Sequence, residues 1–241
     1  MRTLTIVPVP GREGEDFGAA LPWFPVAGLF LGVVTALGSE LWFLFAGSWT
    51  EGGAVFVVGL SVVLTRGLHL DGLTDWADSL GVGPDRERRL DVMKDSHTGA
   101  FGVLALGLCL LAKWTALARL MEMGGVWLLP LVMLVSRVMM AEMAATLPYA
   151  RSESGTAAPF VRGATGRRRF AAHAAGAVLA LMWGWDGAVC YGAAWVATFV
   201  FRGHCKRRFG GVTGDLLGTL NEIIEVALLF LGGVTIWGWR G

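Results

Sequence analysis

The chain has 241 residues, of which 54% are hydrophobic and only 16% charged, with a mean hydropathy of +0.58 and a formal net charge of +1. A soluble domain carries about 25% charged residues, so the composition excludes an ordinary water-soluble fold, and a charge this close to zero gives no sign of a nucleic-acid partner. Cys109, Cys190 and Cys205 are too widely spaced for a metal-ligand pattern or a disulfide framework.

The first twenty residues, with Pro8, Pro10 and an acidic patch at 13–16, lack the form of a signal peptide, so insertion is expected to rely on internal spans. A spanning helix needs about 20 mainly apolar residues. Candidates lie at 23–46, 54–65, 100–120, 126–147 and 216–239, the second being short. Between 170 and 201 two apolar runs are broken at Gly184-Trp185-Asp186-Gly187, which predicts a tight helical hairpin. The expectation is a single domain over 1–241, an all-α polytopic membrane bundle of about seven spans.

Charge placement orients such a bundle. With seven spans and the N-terminus inside, the loops at 66–98, 148–169 and 202–214 share one face. They carry Arg66, Arg86, Arg88, Arg89, Lys94, Arg151, Arg162, Arg167, Arg168, Arg169, Arg202, Lys206, Arg207 and Arg208, whereas the opposite connectors near 47–53, 121–125 and 184–187 hold no Lys or Arg. Positive loops stay inside, so all three are expected to face the cytoplasm from the cell's inner membrane.

Within the first of these loops Asp71, Asp75 and Asp78 fall at i, i+4 and i+7, within roughly 60° of one another on a helix face. Stacked like charges repel, a penalty that a divalent cation removes. Mg²⁺ takes carboxylate oxygens together with water and substrate phosphate. Asp91 and Asp95 follow as a second acidic pair, and His69 and His97 flank the stretch. A solvated acidic face is the plainer alternative. In the third loop, Gly210-Gly211-Val212-Thr213-Gly214-Asp215 precedes the last span. Glycines at a helix entrance let amides approach a phosphate, and Asp215 also suits an N-cap. Glu222 and Glu225 lie deeper in that span. Ionisable groups there face a cavity or a partner, and Lys113, Arg119 and Arg137 are the basic residues within spans. Arg151 suits bidentate phosphate recognition, while Arg167-Arg168-Arg169 suits an anionic lipid surface.

Three motifs in order, His69-Leu70-Asp71-Gly72-Leu73-x-Asp75-x-x-Asp78, Met93-Lys94-Asp95-Ser96-x-x-Gly99-x-x-Gly102 and Gly210-Gly211-x-Thr213-Gly214-Asp215, resemble the cobalamin synthase family. Pro8-Val9-Pro10, Phe24-Pro25-x-x-Gly28, Ser136-Arg137 and Glu222 fall in similar order, so the resemblance covers nearly the whole chain. It implies a membrane adenosylcobinamide-GDP ribazoletransferase. A ribose hydroxyl of α-ribazole, or of its 5′-phosphate, attacks the cobinamide-linked phosphorus of adenosylcobinamide-GDP, GMP leaves, and Mg²⁺ is required. The resemblance implies Asp71, Asp75, Asp78 and Asp95 as metal and catalytic carboxylates. Lys94, Arg151, Gly210, Gly211, Thr213, Asp215 and Glu222 become the substrate-binding set. The chain departs from the pattern at Ser79 in place of Gly, at His97 in place of Arg, and at Thr5-Ile6-Val7-Pro8, where an Arg is missing. A CDP-alcohol phosphotransferase also places aspartates at a membrane face, but Gly83-Pro84 breaks its register. An ion-coupled transporter would explain Glu40, Glu142, Glu222 and Glu225, yet no internal repeat supports it. The Trp- and Gly-rich span surfaces also suit contacts between copies in a homo-oligomer.

Overall fold

Long apolar runs punctuated by glycine and proline produce an all-α bundle. The computed structural model describes residues 16–151 and 155–235. Among them are ten α-helices: α1 (Phe24–Ala46), α2 (Thr50–Thr65), α3 (Leu68–Leu80), α4 (Arg86–Val92), α5 (Ala100–Glu122), α6 (Leu129–Thr146), α7 (Ala158–Arg162), α8 (Gly166–Ala180), α9 (Gly184–Arg208) and α10 (Gly214–Thr235). Pro25 and Pro130 sit in the first turns of α1 and α6, where the missing N–H would have had no helical partner. The Pro8-Val9-Pro10 segment and the departure at Thr5–Pro8 lie outside the described residues.

Five helical stretches among the described residues are long and apolar enough to cross a membrane, or six with the bent pair α2–α3 taken as one span, rather than seven. Two local features explain the difference. Arg66 and Gly67 both take left-handed backbone angles, with φ of 56° and 66°, and the chain turns by 90° between α2 and α3. The Gly67 N–H closes onto the Val62 carbonyl at 2.9 Å, which ends α2 after 16 residues. The stretch 166–208, one of the five, holds both α8 and α9 and reverses at Gly184 (φ 52°). The predicted hairpin is present: His173 of α8 stacks on Trp195 of α9 with ring centroids 5.3 Å apart, and bonds the Tyr191 hydroxyl at 2.7 Å.

Helix α6 is the hub, with 94% of its apolar window buried inside the protein, against 28% for α5, whose outer face is left to lipid. A Cβ at Gly28 of α1 would run into the Met133 carbonyl, and one at Gly32 into Pro130, so α1 and α6 pack antiparallel almost backbone to backbone. Small residues permit that approach where lipid removes any hydrophobic drive between helices.

Two groups of buried charge tie the bundle together. Lys113 Nζ of α5 lies 2.6 Å from both Glu222 and Glu225 of α10, and Arg137 of α6 pairs with Glu225. On the other side of α6, Glu142 is met by Arg169 Nε at 2.5 Å and His173 Nε2 at 2.9 Å. Opposite charges offset the desolvation that each would otherwise suffer.

This threading gathers the starts of α1, α5, α8 and α10 and the ends of α2, α6 and α9 at one end of the bundle, beside α3 and α4. There the connections interlock. The Ala150 N–H donates to the Val212 carbonyl and the Val212 N–H to the Pro148 carbonyl, both at 2.9 Å, around a parallel bridge of Tyr149 with Val212.

Candidate active site where α3 meets α10

Helix α3 seats on the start of α10 through positions that cannot bear a larger side chain. A Cβ at Gly72 would lie 2.6 Å from the Asp215 carbonyl oxygen, and one at Gly218 would press on the His69 backbone. The Thr219 hydroxyl lies 3.0 Å from the Gly72 carbonyl and 2.8 Å from that of Asp215, stitching the two helices together. Asp71 and Asp75 are thereby brought to the entrance of α10. Asp75 feels the charges of Asp215, Asp71 and Asp78, with Arg151 opposing them. Asp215 in turn feels Arg151 and Asp71. Arg151 Nη2 pairs with Asp215 Oδ2 at 2.9 Å and donates to the Met93 carbonyl at 3.2 Å. The predicted carboxylate stripe thus gains a member from the third loop and a cation from the second.

The entrance to α10 is capped by Thr213 rather than by Asp215. The Thr213 hydroxyl accepts the Leu216 N–H at 3.3 Å and donates to Asp215 Oδ2 at 3.2 Å, which leaves Asp215 inside the first turn. Helix N-termini favour negative charge, so this position holds Asp215 while its carboxylate stays beside Arg151. Gly210 (φ 68°) lies against the Arg86 guanidinium and Gly211 against the Pro148 carbonyl. Both glycines serve the interlock of the two loops.

The carboxylates of Asp78 and Asp95 are taken up by other partners. The Asp78 carboxylate accepts the Gly99 N–H at 2.7 Å and the Gly102 N–H at 2.8 Å, and so caps α5 from 21 residues upstream. Gly99 and Gly102 are glycine because a Cβ at either would strike that carboxylate. Asp95 is exposed and bonds His97, through its Nδ1 at 2.6 Å and its backbone N–H at 3.0 Å. The His97 hydrogen bonds hold the Asp95 carboxyl below the usual carboxylate range. The other departure is quiet: the Ser79 hydroxyl donates to the Trp76 carbonyl at 2.6 Å and the helix runs on to Leu80. Glu222 is 3% exposed and held by Lys113, Cys109 and Asn221, so it belongs to the bundle interior rather than to the open end.

Two cavities open at this junction. One, of about 590 Å³, is lined by Arg86, Lys94 and Arg151, with Glu87, Asp91 and Tyr149. Arg86 is held there by a 3.0 Å bond to the Ala150 carbonyl. Sequence reasoning missed its role because it is one of several arginines in a basic loop. The other, of about 320 Å³, runs between α1, α3, α6, α7 and α10 and is lined by His69, Asp71, Asp215, Thr156, Phe24, Met140 and Phe160 among others.

Among the described residues, no group of three or more His, Cys, Asp or Glu is placed to hold a metal ion by itself. The donor chemistry still suits Mg²⁺. Asp71, Asp75 and Asp215 are hard carboxylate donors close to one another, with Arg151 paired to Asp215. Mg²⁺ is characteristically held by one or two carboxylates and completed by water and substrate phosphate.

Residues 1–233 match the family described as cobalamin-5-phosphate synthase. Similar curated proteins are named adenosylcobinamide-GDP ribazoletransferase. That of Chlorobium phaeovibrioides is 41% identical over 97% of this chain and 95% of its own length. Those of Chlorobaculum parvum (39%, 99% and 94%) and Syntrophobacter fumaroxidans (42%, 95% and 88%) are comparable. No solved structure matches the chain.

Proposed function

The chain belongs to the cobalamin-5-phosphate synthase family, and from that premise we propose that its α3–α10 junction transfers a cobinamide phosphoryl group from adenosylcobinamide-GDP to α-ribazole or its 5′-phosphate. The observation that carries this reading is the Arg151–Asp215 ion pair at the entrance of α10, with Asp71 and Asp75 of α3 close enough to act on Asp215 and on each other, beside a cavity lined by Arg86 and Lys94.

In the reaction, a ribose hydroxyl oxygen forms a bond to the cobinamide-linked phosphorus. The bond from that phosphorus to the bridging oxygen breaks, and GMP departs with that oxygen. The hydroxyl proton passes to a carboxylate of the cluster and then to water. Arg151, Lys94 and Arg86 grip the diphosphate, the guanidinium groups suiting paired phosphate oxygens. Asp71, Asp75 and Asp215 would hold Mg²⁺, which when bound neutralises diphosphate charge and orients the leaving group. Asp78 is assigned a positioning role, since both of its oxygens are engaged by α5 amides.

The transport reading loses its motive, because Glu142, Glu222 and Glu225 each have a basic partner and Glu40 is exposed. The basic loops beside the site support an orientation toward the cytoplasm from the inner membrane, under the positive-inside rule. The test is Asp71→Ala in protein that inserts and folds normally. Loss of GMP release is expected, whereas wild-type turnover by that variant would remove Asp71 from the chemistry.

A further inference from the structure

A third cavity, of about 790 Å³, lies at the end of α9 and shares no lining residue with the two at the α3–α10 junction. Its charged wall is Arg202, Lys206, Arg207 and Arg208 with no carboxylate, whereas the basic cavity at the junction also holds Glu87 and Asp91. Of these four cations only Arg202 meets a carboxylate among the described residues, Glu142 at 3.9 Å, and its guanidinium also lies 5.7 Å from the centre of the Phe199 ring. Like charges crowded into two helical turns repel, and an anion in the cavity would relieve that. The rest of the wall points to the kind of anion. Phe199 and Val200 line the cavity, and with Val196 they form an apolar ladder on α9, each 66% exposed, in a stretch apolar enough to cross the membrane. Gly203 follows on the same face, three and four residues on. A Cβ there would meet nothing within 4 Å, so no packing in the protein demands the glycine, and the space above it is open. From Val200 to Arg207 the helix rises about 10 Å. That is enough to pass from the acyl chains through the headgroup layer, about 5–8 Å deep on each side of a bilayer.

We propose that this cavity binds the headgroup of an anionic membrane phospholipid, whose acyl chains lie on the Val196–Phe199–Val200 ladder. Arg202, Lys206 and Arg207 donate to the phosphate oxygens, the guanidinium forks suiting paired oxygens. Gly203 lets the headgroup lie close to the helix. A second copy of the chain is a poor occupant, since a symmetric contact would set this cation cluster against itself. A free phosphate fits the cations alone and makes no use of the adjoining ladder.

Native mass spectrometry of the full-length protein in detergent, titrated with phosphatidylglycerol or with phosphatidylcholine, counts the lipids retained. The wild type should hold one phosphatidylglycerol at least about tenfold more tightly than phosphatidylcholine, which carries the phosphate without the net charge. Lys206→Gln combined with Arg207→Gln removes two exposed cations and should weaken phosphatidylglycerol about thirtyfold. Gly203→Leu fills the cavity without touching a charge and should weaken it as well. A charge-matched control, Arg88→Gln with Arg167→Gln, removes two exposed arginines outside the cavity and should change retention by less than about twofold. An equal loss in that control, unchanged retention in both cavity variants, or no preference in the wild type would reduce the attraction to diffuse surface charge and overturn the site. Displacement of phosphatidylglycerol by equimolar inorganic phosphate or adenosylcobinamide-GDP would give the cavity to a free phosphate or to the substrate diphosphate, and would overturn the lipid assignment too.

Discussion

Replacing Asp78 separates a structural carboxylate from a chemical one. The side chain accepts two amide hydrogen bonds at the entrance to α5, from Gly99 and Gly102 at 2.7 and 2.8 Å. Hydrogen bonds to a charged group contribute about 1.5–3 kcal/mol each, and a carboxylate at a helix N-terminus adds about 0.3–1 kcal/mol. Gly99 is exposed, so water replaces part of its bond in Asp78→Ala. The net loss should be about 3 kcal/mol, which for a chain of this size lowers the unfolding temperature by roughly 6–12 °C. Asp78→Asn keeps one acceptor oxygen and should fall about midway. Thermal unfolding in detergent, followed by tryptophan fluorescence, measures the stability term, and GMP release at several Mg²⁺ concentrations measures the chemistry. Activity should decline with the folded fraction and the Mg²⁺ requirement should stay put. A raised Mg²⁺ requirement at unchanged stability would refute the capping role and return Asp78 to the ligand set.

Asp75→Asn should lose most activity and regain part of it when Mg²⁺ is raised, because one carboxylate oxygen of the cluster goes. Unchanged kinetics would remove Asp75 from the ligands. Asp95→Asn should retain at least about half of wild-type activity, since that carboxylate is exposed and bonded to His97. A loss greater than tenfold would contradict its placement outside the site. Lys113→Met leaves Glu225 with Arg137 and removes the ion pair to Glu222, and should cost about 3–5 kcal/mol. Adding Glu222→Gln should recover most of that stability in the same unfolding assay. A double variant as unstable as the single one would show that the Lys113–Glu222 pair does not carry the effect.

The apolar runs, their glycine breaks and the bias of Lys and Arg to one set of loops were enough to give a helical membrane bundle with its polar chemistry at one end. The α8–α9 hairpin was legible from Gly184 through Gly187, because a charged residue between glycines interrupts two short apolar runs. The bend at Arg66–Gly67 was not, since a left-handed arginine leaves no signature in local composition. Spacing put Asp71, Asp75 and Asp78 on one helix face, but spacing is silent on where each carboxylate points. Asp78 turned out to face α5, and the reason lay in Gly99 and Gly102, which were visible as a motif whose purpose depends on a contact 21 and 24 residues away. Asp215 joined the cluster because Gly72 and Gly218 let α3 and α10 touch, a tertiary fact. The acids of the last span, Glu222 and Glu225, could be read either as a polar cavity or as ion pairs. Lys113 and Arg137 decide for ion pairs.

The most direct measurement is single-turnover GMP release by the purified protein supplied with adenosylcobinamide-GDP, α-ribazole and Mg²⁺. A corrinoid product should form in step with GMP, depend on both substrates and vanish in Asp71→Ala protein that unfolds at the wild-type temperature. Well-folded wild-type protein that yields neither product would contradict the proposal that the Asp71, Asp75, Asp215 and Arg151 cluster is a phosphoryl-transfer site.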